Sequence, residues 1–312
     1  MFNIVEKRYW YFALSALLII PGLVAMILST VQYGAPWRLS VDFTGGTLWE
    51  MRFDTPVAPA EVRQVFVDRG YTDTSVQTTA DGRTALVRSK PLETEEKQAI
   101  ATELKERFGA FGELRSETVG PAISREVTRT AAIAVLAASL VILTFIVFAF
   151  RKVPNAFRYG VCAIAAMVHD VLVATGLFSL AGLTLGWEVD ALFLTALLTV
   201  IGFSVQDTIV VFDRIRENIP KRRGEPFETI VNRSLLETLH RSLATQLNAM
   251  FVLIAILLFG GATIRQFVAV LLVGMLSGTY SSIFNAVPLL VVWEKGEVGQ
   301  FFRRRMGREA AA

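Results

Sequence analysis

Residues 200 to 218, VIGFSVQDTIVVFDRIREN, place a carboxylate, Asp207, among valines and isoleucines. It lies about six residues inside the charged end of an apolar run, or roughly 9 Å at the rise of a helix. A short carboxylate does not reach the interface from that depth. A charge there costs about 2.5 to 3.5 kcal/mol on insertion scales, so it faces a partner or a wet cavity. The next apolar run opens with HRSLATQLNAM, which sets Arg241, Thr245 and Asn248 at i, i+4 and i+7 on one helical face, with Ser242 and Gln246 on its flank. Adjoining spans run antiparallel, so this stripe shares Asp207's half of the membrane and an Asp207–Arg241 pair is geometrically reasonable. Three chemistries compete for it. The pair can glue two helices together, or Arg241 can snorkel to the interface and ignore Asp207. The third is a proton relay, since burial raises a carboxyl pKa and a nearby guanidinium lowers it. A motion that withdraws Arg241 then captures a proton, and its return releases one.

The energy for such a relay is adequate without a nucleotide. A proton crossing yields about 2.3 kcal/mol per 100 mV and about 1.4 kcal/mol per unit of pH difference, enough to bias a two-state element by about one or two powers of ten. The chain has no Walker motif, and Gly45-Gly46-Thr47 reads as a turn rather than a phosphate loop, because no lysine follows. Other polar residues are weighed more plainly. Asp213, beside Arg214, reads as a solvated end-of-helix charge. His169 and Asp170 fall in the middle of another apolar run, where a satisfied polar contact competes with a supporting place in the relay. Gly274 and Gly278 make a GxxxG spacing that could be close helix packing or coincidence. Cys162 is the only cysteine, so no internal disulfide, thiol redox pair or zinc site is expected. No cofactor is implied.

These residues must be held by membrane helices. Of the 312 residues, 53% are hydrophobic and 19% charged, too oily a balance for a soluble domain. Apolar runs near 10–31, 129–150, 157–181, 189–213, 240–260 and 266–293 each reach the length of about 20 residues needed to cross the hydrocarbon core. The first resembles a signal peptide but is long and lacks a clear cleavage site, so it reads as a retained anchor. Lys7 and Arg8, then Arg151, Lys152 and Arg158, then Arg214 to Arg223, and last Arg303 to Arg305 mark cytoplasmic segments, which puts both termini in the cytoplasm. Tyr9, Trp10, Tyr11 and Trp37 suit the interfacial belts. The formal net charge of +3 is too small to suggest nucleic acid. Residues 225–238, with Phe227, Ile230, Val231, Leu235 and Leu236 on one face, read as a helix lying on the cytoplasmic surface.

One connection, residues 33–126, is a polar stretch of domain size, expected outside the cytoplasm. LSVDFTGGTLWEMRFD alternates about Gly45 and Gly46 and reads as extended chain with a bulge or turn. PAEVRQVFVDRG has helical spacing, and TSVQTTADGRTALVRS is a hairpin turning at Asp81-Gly82. ETEEKQAIATELKERFG is a second helix and GELRSETVG a last strand. The order βαββαβ is the ferredoxin-like split unit. The expected fold is therefore a multi-pass α-helical membrane protein, six transmembrane helices with one extracytoplasmic α+β ferredoxin-like domain between the first and second. Its parts are 1–32, 33–126, 127–294 and a tail, 295–312.

DFTGGT at 42–47, VGP at 119–121, HDV at 169–171, IGFSVQDTIVVFDRIREN at 201–218, TLHRSL at 238–243 and FGG at 259–261 occur together in this order, and with them the chain resembles the SecD/SecF family of protein-export membrane proteins, on its SecF side. The resemblance implies a non-enzymatic subunit of the bacterial inner membrane. It would pair with SecD, beside the SecYEG channel and in the company of YajC and YidC, and use the proton motive force to draw unfolded chains outward after SecA has acted. It also implies kinship with RND-type exporters. Carried over by motif, Asp207 is the proton-carrying acid, with Arg241 and Thr245 its partners and a further acid supplied by SecD. His169, Asp170, Asp213 and Asn248 are supporting candidates, and Asp42, Gly45 and Gly46 form the motif of the outward domain. A passive scaffold for SecD and the channel is an alternative. Half of a small-molecule exporter is another, though the outward domain is small for a substrate pocket.

Overall fold

The computed structural model describes residues 3–79, 81–151 and 156–297; Lys152, Arg303 to Arg305 and most of the expected tail lie outside them. It divides into two compact units, residues 39–133 and the remainder on either side.

The smaller unit is α+β. Its strands are β1 (Gly46–Phe53), β2 (Ser75–Thr78), β3 (Thr84–Ser89) and β4 (Phe111–Val119), in the antiparallel order β2-β3-β1-β4. With helices α3 (Pro59–Asp68) and α4 (Thr94–Phe108) between them, this is the ferredoxin-like arrangement read from the pattern. Trp49, Met51 and Phe53 of β1 alternate inward against Val62, Val65 and Phe66 of α3 and Ile100 and Leu104 of α4, and all are buried. A register shift between Glu50 and Met51 bulges β4 at Leu114, whose side chain is exposed.

One stretch differs from its sequence reading. DFTGGT is not extended on both sides of the glycines. Val41–Thr44 forms a single helical turn, α2, because the Ser40 hydroxyl accepts the Asp42 N–H at 3.2 Å and the Gly45 N–H reaches the Val41 carbonyl at 2.8 Å. The strand begins only at Gly46, which has φ 119° and where a Cβ would stand 2.6 Å from the Ser89 carbonyl oxygen. Only glycine fits there.

The other unit is helical. Its elements are α1 (Arg8–Tyr33), α5 (Pro121–Phe150), which begins in the smaller unit, α6 (Ala156–Leu185), α7 (Ala191–Lys221), α8 (Phe227–Phe259) and a last span made of α9 (Ala262–Ser281), a π-helical turn (Ser282–Ala286) and α10 (Val287–Glu294). Among the described residues six helical segments are long and apolar enough to cross a membrane. Local chemistry sets their ends: the Asp190 carboxylate caps α7 by accepting the Phe193 N–H at 2.8 Å, and α1 stops at Gly34, whose N–H donates to Thr30 O at 2.9 Å.

Glycines let the helices touch. A Cβ on Gly22 of α1 would lie 2.8 Å from Gly176 Cα of α6, and one on Gly274 of α9 would lie 2.1 Å from Val200 Cγ2 of α7. Gly274 and Gly278 are thus a packing motif between α7 and α9. The predicted surface helix at 225–238 is corrected: it is the first third of the continuous helix α8. Its apolar face is covered by protein, Val231 and Leu235 sharing a buried cluster with Val5, Phe212 and Ile215, and the Ile4 N–H donates to Asn232 Oδ1 at 2.9 Å. An amphipathic pattern cannot distinguish lipid headgroups from a neighbouring helix as the cover for its apolar side.

Candidate functional site

Asp207 is buried on α7, and its Oδ2 accepts a hydrogen bond from Gln246 Nε2 of α8 at 2.6 Å. Gln246 is itself buried, and its Oε1 has no hydrogen-bond partner among the described residues. The expected partner is elsewhere. Arg241, Thr245 and Asn248 are exposed, and the Thr245 hydroxyl donates to the Arg241 carbonyl of its own helix at 3.0 Å. The two rows have exchanged roles: Thr238, Ser242, Gln246 and Met250, four residues apart, are the buried row of α8, and the Arg241 row faces away from the protein. No ion pair joins Asp207 to Arg241 in this arrangement. Spacing places residues on a common face of a helix but leaves the rotation of that helix open, and α8's rotation is fixed by the packing of its buried residues between Ile230 and Met250.

Asp170, which the sequence offered only as a supporting residue, sits in a far denser setting on α6. Oδ1 accepts Ser277 Oγ at 2.6 Å and lies 3.0 Å from His169 Nδ1, and Oδ2 accepts Ser204 Oγ at 2.5 Å and Ser281 Oγ at 2.7 Å. Four groups from α6, α7 and α9 fill the accepting capacity of one carboxylate. Asp170 is fully buried, as are the three serines nearly so, and the His169 Nε2 is buried without a hydrogen-bond partner among the described residues. Gly278 lies against the cage, where a Cβ would stand at ordinary contact distance, 3.4 Å from Ser204 Cα and 3.6 Å from Asp170 Oδ2. The serines were missed in the sequence. The available signal was Ser277 and Ser281 interleaved with Gly274 and Gly278, a small-residue face with hydroxyls on it.

The remaining candidates separate from these. Asp213 is half-buried and pairs with Arg216 at 2.7 Å; it stands within α7, which continues to Lys221, rather than at the end of the helix. Asp42, Gly45 and Gly46 belong to the α+β unit, at the turn entering β1.

Six apolar spans, a ferredoxin-like insert and carboxylates buried between helices define a polytopic membrane protein with ionisable groups placed inside its helical body. Residues 99–296 match the family described as Protein export membrane protein SecD/SecF, C-terminal, and residues 38–57 match the SecD/SecF GG motif. Protein translocase subunit SecF of Thermobaculum terrenum is 49% identical over 100% of both chains, and that of Anaerolinea thermophila is 51% identical over 97% of this chain and 98% of its own. The crystal structure of SecDF, a translocon-associated membrane protein from Thermus thermophilus, matches with a TM-score of 0.78 at 34% identity, over 94% of this chain and 39% of that one. The chain belongs to the SecD/SecF protein-export family.

Proposed function

We propose that the chain is the SecF-type subunit of a bacterial protein translocase and that, with a SecD-type partner, it uses the proton motive force to assist passage of unfolded polypeptide through a SecYEG channel, with YajC and YidC as further neighbours. It resides in the inner membrane with both termini cytoplasmic and the α+β unit outside; it is a transport subunit rather than an enzyme. The observation that carries the reading is the setting of Asp207. Its one hydrogen-bond partner among the described residues is a neutral amide, so taking up or losing a proton there strands no opposite charge. Arg241 and Thr245 enter from the exposed face of α8. A guanidinium exposed within a membrane helix calls for an acidic partner or water, and an acid from the SecD-type subunit meets that need.

The test is proton conductance and polypeptide export in proteoliposomes holding this chain with its SecD-type partner, comparing native protein with Asp207→Asn and Arg241→Met. The relay requires both variants to assemble and to lose proton-dependent export, and Asp207→Asn to lose conductance. Equal conductance in all three removes it. The scaffold reading has its own support in the Asp170 cage, where a buried carboxylate visibly ties helices together. It predicts that Asp207→Asn exports normally.

A further inference from the structure

Asp170 holds α7 at a place that matters for Asp207. Ser204, which donates to Asp170 Oδ2, precedes Asp207 by three residues, so the two lie one turn apart on neighbouring faces of α7, about 60° around the axis. Ser204 faces α6 and α9, whereas Asp207 faces α8 through Gln246. A turn of α7 that takes Asp207 off Gln246 must also pull Ser204 away from Asp170. The same carboxylate grips the last span through Ser277 and Ser281, and the π-helical turn starts at the next residue, Ser282. Within that turn Asn285 Oδ1 accepts Ser15 Oγ of α1 at 2.9 Å. Bonds therefore run from α7 through Asp170 to the least regular point of the last span and on to α1.

We propose that Asp170 is the positioning residue of the relay: by holding Ser204 it ties the rotation of α7 to the last span and α1, so that a turn of α7 made as Asp207 gains or loses its proton is passed on to them. The inference rests on the proton-relay reading of Asp207. Simple glue accounts for it less well, because polar contacts between membrane helices are individually weak whereas a carboxylate at mid-span is costly.

Removing one hydroxyl at a time separates the two. Ser204→Ala frees α7 from the cage and leaves the charge and both bonds to α9. Ser277→Ala removes one hydroxyl from the same carboxylate but leaves α7 tied. In proteoliposomes with the SecD-type partner, Ser204→Ala is expected to keep its proton flux while exporting about fivefold or more fewer chains per proton, the lower end of coupling between two sites. Ser277→Ala should match native protein in both. Equal export by the two serine variants, whether native or reduced, overturns the proposal, as does a loss of flux and export in step in Ser204→Ala. Native proton flux in Asp207→Asn sinks the relay itself, whatever the serine variants do.

Discussion

Asp170 and Asp207, the two carboxylates buried in the helical body among the described residues, differ in how well they are satisfied. Asp170 has no exposure and takes four groups on its two oxygens; Asp207 keeps 7% exposure and takes one amide. A charge at mid-span costs about 3 kcal/mol, and a polar contact between membrane helices contributes about 0.6 kcal/mol on average, so even Asp170's set of bonds falls slightly short of offsetting its burial. Density of bonding is therefore a sign of fixed geometry more than of net stability. The contrast teaches where change is cheap: one bond must break to release Asp207, several to release Asp170.

The sharpest way to break this comparison is Asp207→Asn, expected to abolish proton-driven export while leaving assembly and thermal unfolding near native; a large fall in unfolding temperature would make Asp207 a structural residue like Asp170. Next comes Asp170→Ala. It leaves the serines and imidazole without their acceptor, and since Ser281 can turn to Gly278 O, already 3.3 Å away, a loss of about 2 to 3 kcal/mol is expected by denaturation in detergent, against less than about 1 kcal/mol for Asp207→Ala. Gly274→Ala should cost about 1 to 3 kcal/mol by driving a methyl into Val200, with Gly278→Ala milder because its nearest atom is at ordinary contact distance.

The smallest effect lies in the α+β unit and serves as a control for the membrane charges. The Thr79 hydroxyl and the Arg83 N–H donate to Asp81 and hold its pKa below the usual 3.8. The folded state thus binds that proton more weakly than the unfolded chain, so the contribution is present above the unfolded value and lost as pH falls through the lower folded one. Thr79→Val should flatten this acid loss, read by hydrogen exchange of the β2–β3 hairpin corrected for intrinsic rates. No such variant should alter export.

Much of this architecture was legible in the chain because its signals are local. Hydropathy located six spans, and the Asp81-Gly82 turn with alternating flanks located the hairpin. What stayed hidden depends on rotation and partners. The Arg241 stripe was read correctly as a stripe, but its neighbour Gln246 faces Asp207, since a turn of about 100° separates adjacent residues on a helix and packing alone chooses among faces. Asp170 was visible as a residue. Its cage was not, because Ser204 and Ser281 stand far apart in sequence and each alone is an ordinary membrane serine. DFTGGT misled because alternation over a few residues does not exclude a capped helical turn.

The wide turn at Ser282–Ala286 acts on the last span as one inserted residue does, advancing the angular register of everything beyond it by roughly 100°. Ser277 and Ser281 before it look toward Asp170, while Leu290 and Val291 after it join the apolar cluster around Tyr159 and Phe212, and Glu294 meets Arg158 at 2.6 Å. An ideal helix drawn straight through the segment would aim that glutamate about a quarter-turn wide of its arginine. Deleting a single residue within the turn would straighten the helix and force it to choose between its two sets of neighbours.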